Sequence, residues 1–211
     1  MSGHRILAIA TACACCAVPA AVLAAKPAPT TVTIGIAPVK VTFGKPAVVS
    51  GTTAANTSVT LRADTFPFDG NFSVVTKATS NAAGAYSFTV TPDSSTQYRA
   101  DVKQSKSPVA ALAVRWKVTR TVSTRTPKKG TRVLFSGTVS PAHTGGTAKI
   151  QRRSGGVYKT VKTTTLAAAS TTSSSYSVRV RVRRTGRYRV QVAGDGAHET
   201  GNSRVVKLTV H

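Results

Sequence analysis

The chain has 211 residues, 41% of them hydrophobic, and its 29 Lys or Arg against six Asp or Glu give a formal net charge of +23. Six acids over this length leave few candidates for the paired carboxylates or metal clusters of an enzyme, and the large positive charge favours anionic partners. All three cysteines lie within residues 13–16, so no disulfide is predicted in the rest of the chain.

The N-terminal segment has the pattern of a secretory signal peptide. A short basic start at His4 and Arg5 precedes an almost wholly apolar run from Ile6 to Leu23, followed by small residues. We expect residues 1–25 to be removed and the protein to be secreted or peripherally attached to the cell envelope, with no transmembrane span afterwards. An uncleaved anchor is the alternative, because this run nearly has the length needed to span a bilayer.

The remainder of the chain is a tandem repeat. Residues 86–90 (YSFTV) are matched 90 positions later by residues 176–180 (YSVRV), and the SGT segment at 50–52 is matched by an SGT segment at 136–138. The sequence therefore predicts two domains, residues 26–114 and residues 115–211, each large enough for its own core.

Both repeats have an all-β pattern, because short alternating runs rich in Val, Thr, Tyr and Phe are separated by turn residues. Alternation places Tyr86, Phe88 and Val90 in the core. Tyr98 and Tyr188 each begin a strand after a turn, which is the placement of a tyrosine corner. In the first repeat we expect strands near 31–36, 39–43, 46–53, 57–63, 72–79, 85–91, 97–103 and 108–114.

Several short segments resemble the immunoglobulin-like and fibronectin-III-like repeats of secreted and surface proteins of high-GC Gram-positive bacteria. The matching segments are 44–46 with 50–52, 84–88 (GAYSF) and 185–190 (TGRYRV), and the resemblance covers about residues 30–211. It implies an all-β chain of two tandem Ig-like antiparallel β-sandwich domains after the signal peptide. Its motifs are structural and imply no activity.

No linker separates the two repeats. Ala110, Leu112, Val114, Trp116 and Val118 keep one alternation through the boundary, so one strand is expected to continue into the next domain. Trp116, the only tryptophan, is expected to pack near the interface, and ligand stacking is the alternative.

The positive charge is concentrated in the second repeat, which carries twenty Lys or Arg against two acids, compared with eight against four in residues 26–114. In segment 178–184 (VRVRVRR), alternation turns the valines inward and the arginines outward, forming a stripe about 13 Å long. A neighbouring strand and the other sheet are expected to extend it. The candidate polyanion-binding residues are Arg179, Arg181, Arg183, Arg132, Arg187 and Arg189.

Guanidinium groups match phosphate and carboxylate oxygens in two-point contacts, which suits a polyanion. The candidate ligands are teichoic-acid-like or other envelope polymers, acidic polysaccharides, anionic lipid surfaces and extracellular DNA. Sequence-specific reading of nucleic acid is not expected, because no recognition helix is apparent and no aromatic residues alternate with the arginines. The alternative is that these arginines form an ordinary solvated surface.

The other candidate sites are weaker. Phe66, Phe68 and Phe72 form a possible contact loop for a glycan or a protein, and the alternative is that the rings fold over the end of the sandwich. His198 and His143 lack the converging ligands of a metal site or a triad, so no catalytic residue, metal or cofactor is predicted.

The sequence leaves two hypotheses for the function. The first is a secreted non-catalytic protein whose second repeat binds polyanions, and the second is a structural spacer or protein–protein interaction module without such a ligand.

Overall fold

The computed structural model describes residues 31–211, and all the regular elements in that range are β-strands. The signal-peptide prediction for residues 1–25 lies outside the described residues. The first repeat contains β1 (Gly35–Ala37), β2 (Lys40–Thr42), β3 (Ala47–Thr52), β4 (Ser58–Thr65), β5 (Ser73–Thr79), β6 (Ala85–Val90), β7 (Thr96–Val102), β8 (Ser105–Lys106) and β9 (Ala110–Arg115). The second contains β10 (Lys117–Val118), β11 (Thr121–Val122), β12 (Arg132–Ser140), β13 (Thr147–Ser154), β14 (Val157–Thr165), β15 (Ala167–Ser170), β16 (Ser173–Arg181), β17 (Gly186–Val192), β18 (Gly201–Asn202) and β19 (Val206–Leu208).

The first repeat is a two-sheet sandwich. One sheet has the order β1-β3-β6, and the other has the order β2-β9-β7-β4-β5 with β8 added beside β7. The pairs are antiparallel except for β2 and β9, which run parallel. Pro38, which has no backbone N–H for a sheet ladder, lies between β1 and β2, where the chain crosses from one sheet to the other.

The second repeat is also a two-sheet sandwich, but the outer strands of its sheets differ from those of the first repeat. One sheet has the order β10-β12-β16-β15 with β11 also paired to β12, and the other has the order β14-β13-β17-β18 with β19 also paired to β17. The described chain is thus all-β, with two tandem immunoglobulin-like sandwiches, and the predicted fold class is confirmed for residues 31–211.

Alternation along the strands builds two separate cores, as the sequence predicts. Tyr86, Phe88 and Val90 are buried on β6, while the residues between them are exposed. One cluster of buried residues extends from Val32 to Val114, and the other extends from Trp116 to Leu208. Each sandwich therefore excludes water from its own interior, which is the main stabilising contribution to folds of this kind.

A tyrosine on the sixth strand anchors the entry of the first repeat and explains its SGT segment. The Tyr86 hydroxyl donates a hydrogen bond to the carbonyl of Thr33, across the backbone of Gly51, which lies directly opposite Tyr86. A Cβ on Gly51 would lie 2.6 Å from that hydroxyl oxygen. Glycine is therefore required here by close approach of neighbouring atoms.

The second repeat reproduces this anchor. Tyr176 donates a hydrogen bond of 2.6 Å to the carbonyl of Thr119, and the two atoms pass over Gly137. The hydroxyls of Thr119 and Thr138 are 2.9 Å apart, so the entering segment is tied to β12 by side chains as well as backbone. The SGT segment therefore recurs in both repeats because the fold requires a glycine under the tyrosine hydroxyl.

The two sandwiches are joined without a linker, but the expectation of one continuous strand is wrong, because the strand is interrupted at the junction and its two parts belong to different sheets. Trp116 separates β9 from β10, is 2% exposed, and donates from Nε1 to the carbonyl of Ala193 at 3.0 Å. The loop between β17 and β18 reaches back to the first repeat, where the backbone N–H of Glu199 donates to the carbonyl of Val114 at 2.7 Å. Trp116 thus packs at the junction.

Candidate functional site

The arginine stripe lies on the solvent side of β16 and its continuation. Arg179 and Arg181 are exposed on the strand, and Arg183 is exposed two residues beyond its end, while Val180 and Val182 are buried. Strong β-formers at the buried positions hold this alternation, because a shift of one residue would bury the guanidinium groups and expose the valines. The directions predicted from the sequence therefore match the structure.

Arg132 adds a positive charge directly beside the stripe. It is exposed at the start of β12, where it lies opposite Arg181 in the antiparallel register. The Cβ atoms of such opposite residues lie about 4.5–5.5 Å apart, and like charges at this separation destabilise the pair. The Nε of Arg181 donates to the carbonyl of Gly130 at 3.3 Å, which leaves the rest of its guanidinium group for other partners.

The stripe borders a groove that the sequence does not reveal. β15 pairs with β16 only along Ser173–Ser175, so the rest of that edge of β16 has no strand beside it. β14, the outer strand of the other sheet, flanks the open edge, and a β-bulge leaves its Val161 without a partner on β13. Two adjoining cavities of about 400 and 300 Å³ result.

We call this feature the basic groove. Val161 and Val180 line both cavities and give the groove an apolar patch. Seven cationic side chains surround them: Arg132, Arg152, Lys162, Arg179, Arg181, Arg183 and Arg184.

Three groove cations are not among the predicted binding residues: Arg152, Lys162 and Arg184. Lys162 follows the bulge at Val161 and lies opposite the buried Ile150 in register, so its side chain starts on the inner side of its sheet. No sequence pattern marks a bulge of this kind, because the extra residue depends on how the two strands pair.

The other two predicted arginines, Arg187 and Arg189, lie away from the basic groove. Both are on β17, in the opposite sheet, and Arg187 is exposed beside Lys207. Arg189 is half-buried: its Nε donates to Gln151 at 2.8 Å, and its guanidinium carbon lies 3.9 Å from the centre of the Tyr158 ring. Arg189 therefore contributes to packing on that face, since a cation over an aromatic face is stabilised.

No acid of the described residues neutralises the basic groove. The two acids of the second repeat, Asp195 and Glu199, both lie in the loop at the junction. The three ion pairs that Lys or Arg form within residues 31–211 involve none of the groove cations. Such a concentration of like charge opposes the folded state and attracts anions.

The first repeat offers an internal comparison. Its β5 carries a matching bulge, at Val75, and its β6 occupies the position of β16. The positions equivalent to Arg179 and Arg181, 90 residues earlier, are Thr89 and Thr91. The two repeats thus share the backbone arrangement, and only the second lines it with arginine.

The predicted contact loop of phenylalanines lies partly at the junction. Phe66 and Phe68 pack edge to face with ring centres 5.6 Å apart, and they are 41% and 36% exposed. A Cβ on Gly196, in the second repeat, would lie 2.9 Å from the Phe66 ring. Phe72 is half-buried under the guanidinium group of Arg99 at 4.5 Å. The rings therefore fold over the sandwich end while leaving part of their surface free.

The two predicted tyrosine corners differ in detail. Tyr188 donates to the carbonyl of Arg184, four residues upstream, at 3.4 Å, which is the contact expected of a tyrosine corner. Tyr98 is also buried, and this burial raises the pKa of its hydroxyl, an effect that the nearby Thr96 partly offsets. Burial also raises the pKa of Tyr188.

Two histidines, His143 and His198, contribute to packing at the junction. Within residues 31–211 no group of three or more His, Cys, Asp or Glu could hold a metal ion. The imidazoles of His198 and His143 pack on Trp116, with ring centres 4.0 and 4.5 Å from it. The Nε2 of His198 donates to the carbonyl of Asp93, in the first repeat, at 2.9 Å.

Residues 31–211 contain no helix that is long and apolar enough to span a membrane.

Comparison with known proteins identifies no family. No protein-family model and no curated protein matches the chain. Among similar solved structures, a tetra-tandem repeat from the extending region of a large adhesion protein has 19% identity and a TM-score of 0.37, covering 85% of this chain and 49% of its own. A mutant of Salmonella alpha-2-macroglobulin has 10% identity and a TM-score of 0.36, covering 86% and 16%. The chain thus spans about half the length of the first and less of the second, and its function is inferred from its own residues.

Proposed function

We propose that the protein is a secreted, non-catalytic pair of immunoglobulin-like domains at the cell surface, and that its second repeat binds anionic envelope polymers or other polyanions. The observation that supports this proposal is the basic groove, where seven cations surround an apolar patch without an acid beside them. A source in a high-GC Gram-positive bacterium stays a prediction.

The spacing of the stripe favours a linear ligand. Alternate residues on a strand are about 6.6–7 Å apart, so Arg179 and Arg181 present two forked donors in line along β16. Each fork can donate two hydrogen bonds to the oxygens of one phosphate or carboxylate group. A flexible chain with repeated anionic groups can contact both forks and place its apolar atoms against Val161, which is 44% exposed.

The test uses the full-length protein and isolated cell envelope. Replacing Arg179 and Arg181 by threonine installs the residues that the first repeat carries at these positions, on the same backbone arrangement. Envelope-bound protein should fall strongly for this variant at low salt, and wild-type binding should itself fall at high salt.

A matched control separates position from total charge. Replacing Arg153 and Arg187 by threonine removes two exposed cations from the strands of the other sheet. The control should keep most of its binding. Equal losses for the two double variants would reduce the effect to net charge, and no loss in either would refute polyanion binding at the groove.

A second candidate function is a protein-interaction module without a polyanion ligand. It is favoured by an exposed apolar surface on the first repeat, formed by Phe66, Phe68, Val74 and Val75, which are 36–52% exposed beside the free edge of β5. An extended partner segment can pair with such an edge. Replacing Phe68 and Val75 by serine should abolish capture of a protein partner from the envelope while polyanion binding continues. The opposite result would favour the first candidate.

A further inference from the structure

A second concentration of positive charge lies where the two repeats meet. A cleft of about 700 Å³ opens beside β10 and β18. These two strands are at one side of their sheets, whereas β14 and β16, which form the basic groove, are toward the other side. The cleft and the groove are therefore separate sites.

Both repeats contribute cations to this junction cleft. Lys45 and Arg115 come from the first sandwich, because Arg115, the first residue after the predicted boundary, is the last residue of β9. Lys117 and Arg204 come from the second, and all four are exposed. No acid of residues 31–211 lies within ion-pair distance of them.

The one acid in the lining, Glu199, already has a partner. Its carboxylate lies 2.5 Å from the Nζ of Lys40, which offsets its charge. Thr42, Thr200 and Asn202 add hydroxyl and amide groups to the walls. The cleft thus combines four uncompensated cations with neutral hydrogen-bond donors, which is the chemistry that binds phosphate or carboxylate oxygens.

We propose that the junction cleft binds a ligand carrying two or more phosphate or carboxylate groups, independently of the basic groove. Neither repeat supplies more than two of the four cations, so the complete site exists only when the repeats are held together. A ligand that contacts both sides stabilises this arrangement by mass action.

Trp116 provides a local readout of this site. It is the only tryptophan in the chain and it lines the cleft. Titration of the full-length protein with tripolyphosphate should give a saturable change in tryptophan emission. Replacing Lys117 and Arg204 by glutamine should weaken this binding about tenfold or more, because two charge-assisted contacts are lost.

The control removes the same charge from elsewhere. Lys77 and Lys106 are exposed on β5 and β8, away from the cleft lining, and their replacement by glutamine should change the affinity by less than about twofold, through screening of net charge alone. Equal weakening in both double variants, or no saturable change in the wild type, would overturn the proposal.

A third variant separates this proposal from the function of the groove. Replacing Arg179 and Arg181 by threonine should leave the tripolyphosphate titration unchanged, whether or not the groove binds polymers. A parallel titration with long-chain polyphosphate distinguishes the source of the ligand: tighter binding per phosphate assigns a polymer segment to the cleft, and equal binding assigns a free anion.

Discussion

Gly51 should be intolerant of any side chain, because the anchor of the first repeat passes directly over it. A Cβ at this position would lie 2.6 Å from the Tyr86 hydroxyl oxygen and 2.8 Å from the carbonyl carbon of Thr33. Substitution by alanine must push the entering segment away from β3, which breaks the hydrogen bond that the Tyr86 hydroxyl donates to the carbonyl of Thr33.

The expected cost of Gly51→Ala is the sum of two effects. Overpacking a filled site costs about 1–3 kcal/mol, and a lost hydrogen bond costs about 1 kcal/mol. The free energy of unfolding should therefore fall by about 2–4 kcal/mol. Gly35→Ala is the control, because its nearest contact would be the carbonyl oxygen of Ser50 at an ordinary 3.9 Å. It should be neutral or stabilise by up to about 1 kcal/mol, through reduced freedom of the unfolded chain.

Urea denaturation followed by circular dichroism measures the difference. With a slope of about 2 kcal/mol per molar urea, the midpoint of the first repeat should fall by about 1–2 M for Gly51→Ala. Emission of Trp116 follows the second repeat separately, since this residue belongs to the second core. Equal midpoints for Gly51→Ala and Gly35→Ala would refute the requirement for close approach.

Three further predictions concern the fold and the junction. Burial raises the pKa of Tyr86 to about 12, above the usual value near 10. Above pH 10 the unfolded chain loses this proton first, so the stabilisation is complete below pH 10 and is lost as the pH approaches 12. The loss should be measured as a falling urea midpoint over this pH range. Lys40→Ala should destabilise the protein by no more than about 1 kcal/mol in the same assay, because its ion pair with Glu199 is partly exposed to solvent. His198→Ala should cost more, about 2 kcal/mol, because it removes packing on Trp116 and leaves the carbonyl of Asp93 without its donor. An unchanged midpoint at alkaline pH, or a larger loss for Lys40→Ala than for His198→Ala, would contradict these assignments.

The features that the sequence predicts well are those set by alternation along one strand. Tyr86 and Phe88 are buried and Arg179 and Arg181 are exposed because a strand turns successive side chains to opposite faces. A repeat of about 90 residues adds a second copy of each pattern. The eight strands expected in the first repeat all occur, and the additional β8 is only two residues long.

The features that the sequence does not predict depend on contacts between distant segments. The basic groove exists because β15 stops short of Arg179 and because β14 contains a bulge at Val161, and both are properties of strand pairing. His198 packs against Trp116, which is 82 positions earlier in the chain. Local patterns predict an ordinary turn at His198, and its contacts with Trp116 and with the carbonyl of Asp93 arise from the way the β17–β18 loop folds over the junction.

The salt dependence of binding to a defined polyanion tests the central claim most directly. The affinity of the full-length protein for a linear polyphosphate should fall linearly on logarithmic axes as salt rises, and replacing Arg179 and Arg181 by threonine should reduce the steepness of that line by about 1.5, or about 0.7–0.9 for each lost contact. Unchanged slope and affinity in this variant, with the Arg153 and Arg187 control behaving identically, would contradict a polyanion site in the basic groove.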